Sequence, residues 1–201
     1  MAVKIRAMIT GGGGYIAQAI AEELKKEGYS VFAPTHKELD VTDQLHVRKT
    51  LDIYKPNILV NCAGYIQPGT VLDQDIATWE KHIQVNLLGT YYCTKIALEQ
   101  QCKTIINIAS TSATKNKATW SAYCVSKSAI VHFTKCLVAE NVDAYCVSPG
   151  RTRTKMRDRL FPNEDKRTLL YPPVIGRVVL NILEGCYEPG SDIVVERWRK
   201  P

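Results

Sequence analysis

The feature that most constrains this chain is a repeated alternation of short apolar runs with amphipathic segments of helical period. Val3 to Ile9, Tyr29 to Ala33, Ile58 to Asn61, Thr104 to Ile108, Val142 to Val147 and Asp192 to Val195 read as strands. Between them, apolar residues recur three and four apart. Ile16, Ala17, Ile20 and Leu24 form a first helix closed by Gly28, and Val41 to Tyr54 a second stopped by Pro56-Asn57. Further helices are predicted from about Ile76 to Gln101, Ser121 to Glu140 and Pro173 to Glu184. Runs apolar at every position, not every second one, belong to strands buried on both faces, and strand–helix–strand alternation demands crossovers. Right-handed crossovers then give an open, doubly wound parallel α/β sheet, which binds ligands beyond the C-terminal strand ends.

The 201 residues are expected to form one domain over 1–201, with a substrate loop at about 150–172. An apolar share of 45% and a charged share of 23% exclude a disordered chain. No apolar run approaches the roughly 20 residues of a spanning helix, and no leader-like segment opens the chain; no membrane association and a cytoplasmic location are the expectation. The seven cysteines are odd in number, form no C-x-x-C pair and sit mostly in apolar stretches. They read as small buried hydrophobes in a reducing compartment, and no metal site is expected.

Thr10-Gly-Gly-Gly-Gly-Tyr-Ile-Ala17 joins the first strand to the first helix, where glycines let the backbone approach a pyrophosphate at the helix N-terminus. Gly11, Gly13, Gly14, Tyr15 and Ile16 are therefore candidate dinucleotide-binding residues of a Rossmann-like fold. The alternative is a flexible turn. The end of the second strand, Ala33-Pro-Thr-His-Lys37, carries no acid before Glu38. An acid there would hold a ribose 2′-hydroxyl, whereas Thr35, His36 and Lys37 suit a 2′-phosphate, which favours NADP over NAD.

Tyr123-Cys-Val-Ser-Lys127 places a phenol and an ammonium one helical turn apart, 13 residues after the strand-end Ser110. An ammonium beside a phenol favours the phenolate and lowers its pKa toward the working range of an acid–base catalyst. With Leu39-Asp40-Val41-Thr42-Asp43, Asn61-Cys-Ala-Gly64, Val85-Asn86, Ile108-Ala-Ser110, and Pro149-Gly150 followed by Thr154 all in order, nearly the whole chain resembles the short-chain dehydrogenase/reductase family. The resemblance implies Tyr123 as general acid/base, Lys127 as its partner and a ribose ligand, Ser110 on the substrate oxygen, and Asn86 supporting a water relay. Ser112 rivals Ser110, with the offset to Tyr123 favouring Ser110. It further implies Asp40 and Val41 at the adenine, Asn61, Ala63 and Gly64 beside its ribose, and Pro149, Gly150, Thr152 and Thr154 at the nicotinamide end. For Asn61 a structural role between strands is an equal alternative. The glycine loop and Leu39 to Asp43 are also similar to the sugar-nucleotide-modifying branch, but without that branch's C-terminal domain.

The expected activity is thus NADP-dependent hydride transfer with a small carbonyl or alcohol substrate. The alternative is a non-catalytic cofactor-binding regulator or scaffold. The family pairs the long helix with its symmetry mate, so Ile83, Leu87, Tyr91, Thr94 and Leu98 suggest a homodimer or homotetramer. Net charge is +6, partly from Arg151, Arg153, Lys155, Arg157 and Arg159 at alternate positions. If extended, this loop lines the cations along one side and favours an anionic substrate; if helical, it spreads them. Solvated surface is the alternative. A second cluster, Arg197, Arg199 and Lys200, sits near the C-terminus. No nucleic-acid-binding motif accompanies the charge, so nucleic acid is not the expected partner.

Overall fold

A computed structural model describes residues 4–197; Val3, Arg199 and Lys200 lie outside the described residues. Six strands form one sheet: β1 (Arg6–Ile9), β2 (Ser30–Phe32), β3 (Ile58–Asn61), β4 (Thr104–Ile108), β5 (Asp143–Pro149) and β6 (Asp192–Val195). Every pairing is parallel, in the order β2-β1-β3-β4-β5-β6. The chain leaves β1 toward one edge and returns to the other side at β3, so the switch point, where ligands bind in such sheets, lies between β1 and β3. The doubly wound, Rossmann-like reading of the sequence holds.

Alternate strand residues enter two different cores. Ala7, Ile9, Ile58, Val60, Ile106, Ile108 and Val147 face α1 (Tyr15–Lys26) and a late helix (Pro172–Leu183). Met8, Leu59, Ile105 and Ala144 face α2 (Gln44–Tyr54) and the helices that precede and follow β4. This double burial is why the strands are apolar throughout. α2 starts at Gln44, because the Asp43 carboxylate caps the Leu45 and His46 N–H groups at 2.9 and 3.1 Å. The expected start at Val41 is corrected accordingly.

The long helix expected from Ile76 to Gln101 is three pieces. α3 (Ile76–His82) and α4 (Gly89–Glu99) flank a π-helical stretch, Ile83–Leu88. An extra residue in that turn rotates Asn86 fully inward. Of the positions read as a pairing surface, Thr94 is buried beneath the sheet, while Tyr91 and the neighbouring Leu88 are exposed. α5 (Ser121–Ala139), a short α6 (Lys155–Leu160) and α7 (Pro172–Leu183) complete the layers.

Four buried polar side chains tie the middle of the sheet to the helices. Asn61 and Asn107 are direct partners across β3 and β4. Asn61 Nδ2 donates to Asn107 Oδ1 and to Thr94 Oγ1 of α4, both at 2.9 Å, and Asn107 Nδ2 donates to Thr134 Oγ1 of α5 at 3.0 Å. On the opposite face α1 and α7 meet so closely at Gly176 that a Cβ would lie 2.7 Å from the Ala19 carbonyl oxygen and 2.8 Å from Glu23 Cγ. Gly176→Ala should therefore destabilise the fold by about 1–2 kcal/mol despite the better helix propensity of alanine. Urea denaturation checks this; a midpoint unchanged or raised would show that the seam has slack.

Candidate functional site

One cavity of about 520 Å³ lies across the C-terminal ends of the strands. Its floor is the turn between β1 and α1. There Gly11 adopts φ +72°, and a Cβ on it would sit 2.8 Å from Ala63 Cα, so only glycine lets the turn lie against the end of β3. A Cβ on Gly12 would overlap the Ala33 carbonyl. At Gly13, by contrast, a Cβ would have room, with Thr35 Cγ2 its nearest neighbour at 4.0 Å. Thr10 holds the two strand ends together, its hydroxyl accepting from the Cys62 and Ala63 N–H groups at 3.0 Å each. Sequence reading had given Thr10 no part. α1 begins after Gly14 with no capping side chain and no acid in its first turn, so its free N–H groups face the cavity as an anion-binding end.

Tyr15, Ile16, His36, Asp40, Val41, Ala63 and Gly64 line the same cavity, as expected from the sequence. Val41 is pressed there by Gly89, where a Cβ would meet Val41 Cγ2 at 2.6 Å. Three expectations are corrected. Asn61 does not reach the cavity; it is spent on the buried amide ladder, the structural alternative. Thr35 donates its N–H and hydroxyl to Glu38 at 2.9 and 2.8 Å and does not line the wall. Lys37 is exposed and also lies off the wall, which leaves His36 as the cation-capable side chain of that turn on the cavity.

On the far side stand Ser110, Tyr123 and Lys127. Lys127 Nζ donates to the Ile108 carbonyl at 2.7 Å and lies 5.9 Å from the Tyr123 ring centroid. Asn86 sits behind the wall. Its Oδ1 accepts from Tyr65 N at 2.7 Å, and its Nδ2 donates to Tyr65 O and to Ser126 Oγ at 3.0 and 2.9 Å. Ser126 in turn donates to the Tyr123 carbonyl at 2.8 Å. That buried hydroxyl, inside the Tyr123–Lys127 turn, is a positioning group that sequence reading missed; its signal was a polar side chain on the buried side of the helix. Gly64 closes the group, since a Cβ there would be 3.7 Å from Asn86 Oδ1 and 3.9 Å from Lys127 Nζ. The Ser110 hydroxyl faces the phenol and also accepts the Ser112 N–H at 3.1 Å, while Ser112, its rival, lines the same wall.

The electrostatics reverse one expectation. Burial pushes the Tyr123 phenol up to about 12, opposed by Ser110, and the ammonium does not bring it down. Burial also lowers Lys127, to about 8. Both groups pay for leaving water, and the ammonium points at the Ile108 carbonyl instead of at the phenol oxygen.

In the basic stretch the helical alternative is the one the structure adopts. Pro149, Gly150, Thr152 and Thr154 line the cavity, but Thr154 accepts from Arg157 N–H as the cap of α6, and Thr152 donates to Gly150 O. From Lys155 onward the segment is helical, so the cations spread. Arg157 and Arg151 both pair with Glu164, at 2.6 and 3.0 Å, and Arg159 donates to Ile66 O at 2.9 Å.

Lys127 has a lower pKa folded than unfolded, so below about 8 both states are charged and the full burial cost stands. Between about 8 and 10.5 the folded chain sheds its proton first, and stability rises with pH. In the ligand-free protein, the unfolding free energy of the wild type should gain about 2.5 kcal/mol on that of Lys127→Met between pH 7 and 10. Paired denaturation curves under reducing conditions check this, and a difference independent of pH would mean the ammonium is solvated.

Comparison with known proteins places this arrangement. The model of the family described as short chain dehydrogenase matches residues 36–165. The chain is 30% identical over 182 residues to an uncharacterized oxidoreductase of Thermotoga maritima, covering 74% of this chain and 71% of that one. It is 29% identical over 158 residues to 2,3-dihydro-2,3-dihydroxybenzoate dehydrogenase of Bacillus subtilis, covering 74% of this chain and 60% of that relative's length. Among solved structures, ligand-free Thermoplasma acidophilum aldohexose dehydrogenase superposes with a TM-score of 0.87 at 24% identity, over 96% of this chain and 92% of that one. ElxO with NADP bound gives 0.85 at 23%, over 96% and 98%. The chain belongs to the short chain dehydrogenase family.

Proposed function

We propose that the protein is an NADP-dependent oxidoreductase that interconverts a small carbonyl compound and its alcohol. The observation that carries this reading is the convergence of Ser110, Tyr123 and Lys127 on a cavity whose other end is a glycine turn and an uncapped helix N-terminus. That cradle suits a dinucleotide: Gly11, Gly13 and Gly14 line one end of it, and at the other Gly64 leaves bare backbone, where a Cβ would stand 3.7 Å from Asn86 Oδ1 and 3.9 Å from Lys127 Nζ. Gly11 to Gly14 and the start of α1 would hold the pyrophosphate, Asp40 and Val41 the adenine, and Ala63 and Gly64 its ribose. His36 would take the 2′-phosphate, Lys127 the nicotinamide ribose, and Pro149, Gly150, Thr152 and Thr154 the nicotinamide end. When bound, the nicotinamide gives or takes the hydride. Relatives solved with this cofactor, such as ElxO with NADP bound, support the choice.

The chain's own residues handle the oxygen and the proton. Ser110 would hold the carbonyl oxygen beside the phenol. A neutral Tyr123, held well above its usual range, is in the form that donates a proton, and an alkoxide is a far stronger base than the phenolate left behind. Lys127, still protonated at neutral pH, would stabilise that phenolate, and its value of about 8 suits proton exchange onward. Asn86 and Ser126 fix the geometry by tying the loop after β3 to the Tyr123 turn. We further propose a homodimer or homotetramer formed through the face carrying Leu88, Tyr91 and Val125, which are exposed on α4, its preceding turn and α5.

Tyr123→Phe should keep the fold and NADPH affinity while lowering turnover about 10²–10⁴-fold. NADPH should bind more tightly than NADH, by about one to two decades, and His36→Asp should narrow that gap. Titration of both nucleotides followed by turnover on a carbonyl panel checks both; a Tyr123→Phe enzyme at more than half the wild-type rate would sink the mechanism. Light scattering at micromolar concentration should give at least twice the 22.5 kDa chain mass, and a single-chain mass there would reject the assembly.

A further inference from the structure

In the loop that the sequence offered as an anion site, Arg151 and Arg157 share Glu164 and Arg159 turns to the Ile66 carbonyl, but a different cation on the same wall has no carboxylate partner among the described residues. Lys117 lines the cavity on the segment between Ser112 and α5, its Nζ 4.2 Å from the centroid of the Trp120 ring. Among the described residues no carboxylate lies within 4 Å of it; the neighbouring Lys115 pairs with Glu196, and Arg151 and Arg157 share Glu164. Two guanidiniums on one carboxylate leave a net positive charge beside an ammonium that has no counterion of its own. Burial and the nearby Arg157, Lys115 and Arg151 all disfavour that ammonium, which is therefore held below its usual range.

The position of this charge relative to the reacting groups limits what could answer it. Trp120 stands edge-on to Tyr123 with ring centroids 5.7 Å apart, and Phe161 packs against Trp120 at 6.0 Å. The wall thus runs from the phenol across an indole face to the ammonium. Of the other lysines lining the cavity, Lys155 sits 5.4 Å over the Tyr15 ring at the glycine-turn end, Lys81 4.9 Å over the Tyr65 ring on the loop after β3, and Lys127 is turned to the Ile108 carbonyl. A molecule whose carbonyl lies at Ser110 and Tyr123 and whose body covers Trp120 would bring its far end to Lys117. Resting on the oxidoreductase reading above, we propose that the substrate is a carbonyl or alcohol compound bearing a carboxylate or phosphate a short apolar body away from the reacting carbon, and that Lys117 binds that anionic group. Lys117 is a specificity-determining residue: it acts on the distant end of the substrate and takes no part in the proton transfer.

The test uses the full chain saturated with NADP and reads binding separately from turnover. Benzoate, phenyl phosphate and neutral benzamide are titrated by tryptophan fluorescence into wild type, Lys117→Met and Lys117→Arg. One of the two anions should bind wild type about ten- to a hundredfold more tightly than benzamide, which also assigns the acid group. Lys117→Met should bring the three probes to within about threefold, and Lys117→Arg should keep the preference. The kinetic arm compares kcat/KM for 4-acetylbenzoate and 4-acetylbenzamide, with the same expected loss of discrimination. Equal binding of charged and neutral probes by wild type would overturn the proposal, as would a preference that survives in Lys117→Met. A tenfold loss of NADPH affinity in Lys117→Met would overturn it too, by assigning the ammonium to the cofactor. Failure of every carbonyl to turn over, with the charge preference in binding intact, would instead reject the oxidoreductase reading and leave an anion-binding pocket.

Discussion

The amide ladder through the centre of the sheet is the constraint on which the site's geometry rests. Asn61 and Asn107 lie opposite one another on β3 and β4, and their side chains bond both to each other and to threonines of α4 and α5. A slip of one residue in either strand would break two of these three buried hydrogen bonds, each left without water to replace it. The ladder therefore fixes strand register and helix placement together. The loops after β3 and β4 and the first turns of α5 inherit their positions from it, and those segments carry Gly64, Ser110, Tyr123 and Lys127. The buried, unpartnered Oδ1 of Asn61 is the cost of satisfying that arrangement.

Around this frame the charges divide between structure and chemistry. Glu164 draws Arg151 and Arg157 into the segment that follows β5, and Asp158 takes Lys166. Two cations of a row that looks available in one dimension are thus consumed in folding the loop, while Arg153 and Lys155 stay exposed. Lys127 is the opposite case: it is held almost fully buried, on a carbonyl rather than a carboxylate, which keeps its proton exchangeable. The difference follows from dielectric and partner. A charge paired with a carboxylate holds its proton, and one facing only a carbonyl dipole in a dry site does not.

The sheet, its winding and the cavity's location were legible because they depend on patterns that local chemistry enforces. Apolar strands such as Ile58 to Asn61 announce two-sided burial, Gly28 announces a helix end, and the glycine turn announces close backbone approach. Tyr123 and Lys127 were legible because four residues make one turn. What stayed hidden was which of two compatible partners a polar group would choose. Asn61 could turn to a ribose or to Asn107; Thr35 could meet a phosphate or Glu38. The π-helical turn at Asn86 was hidden for a related reason: the periodicity of Ile76 to Gln101 differs from that of an uninterrupted helix by a single residue. The sign of the Tyr123 shift depended on burial depth and on where Lys127 pointed, and neither is local in sequence.

The contact of Gly176 with Ala19 joins helices separated by most of the chain. The face of α1 that rests on α7 therefore has no cover until α7 has been made and β6 has docked beside β5. During synthesis the glycine turn can form early, but the helix that carries it stays partly unsheltered while strands and helices accumulate on the other side of the sheet. Such long-range closure makes folding slow and places its last step late, so the nascent chain exposes an apolar stripe for much of its synthesis. The seam that holds α1 against α7 in the finished molecule is also the one whose late closure leaves the unfinished one open to wrong partners.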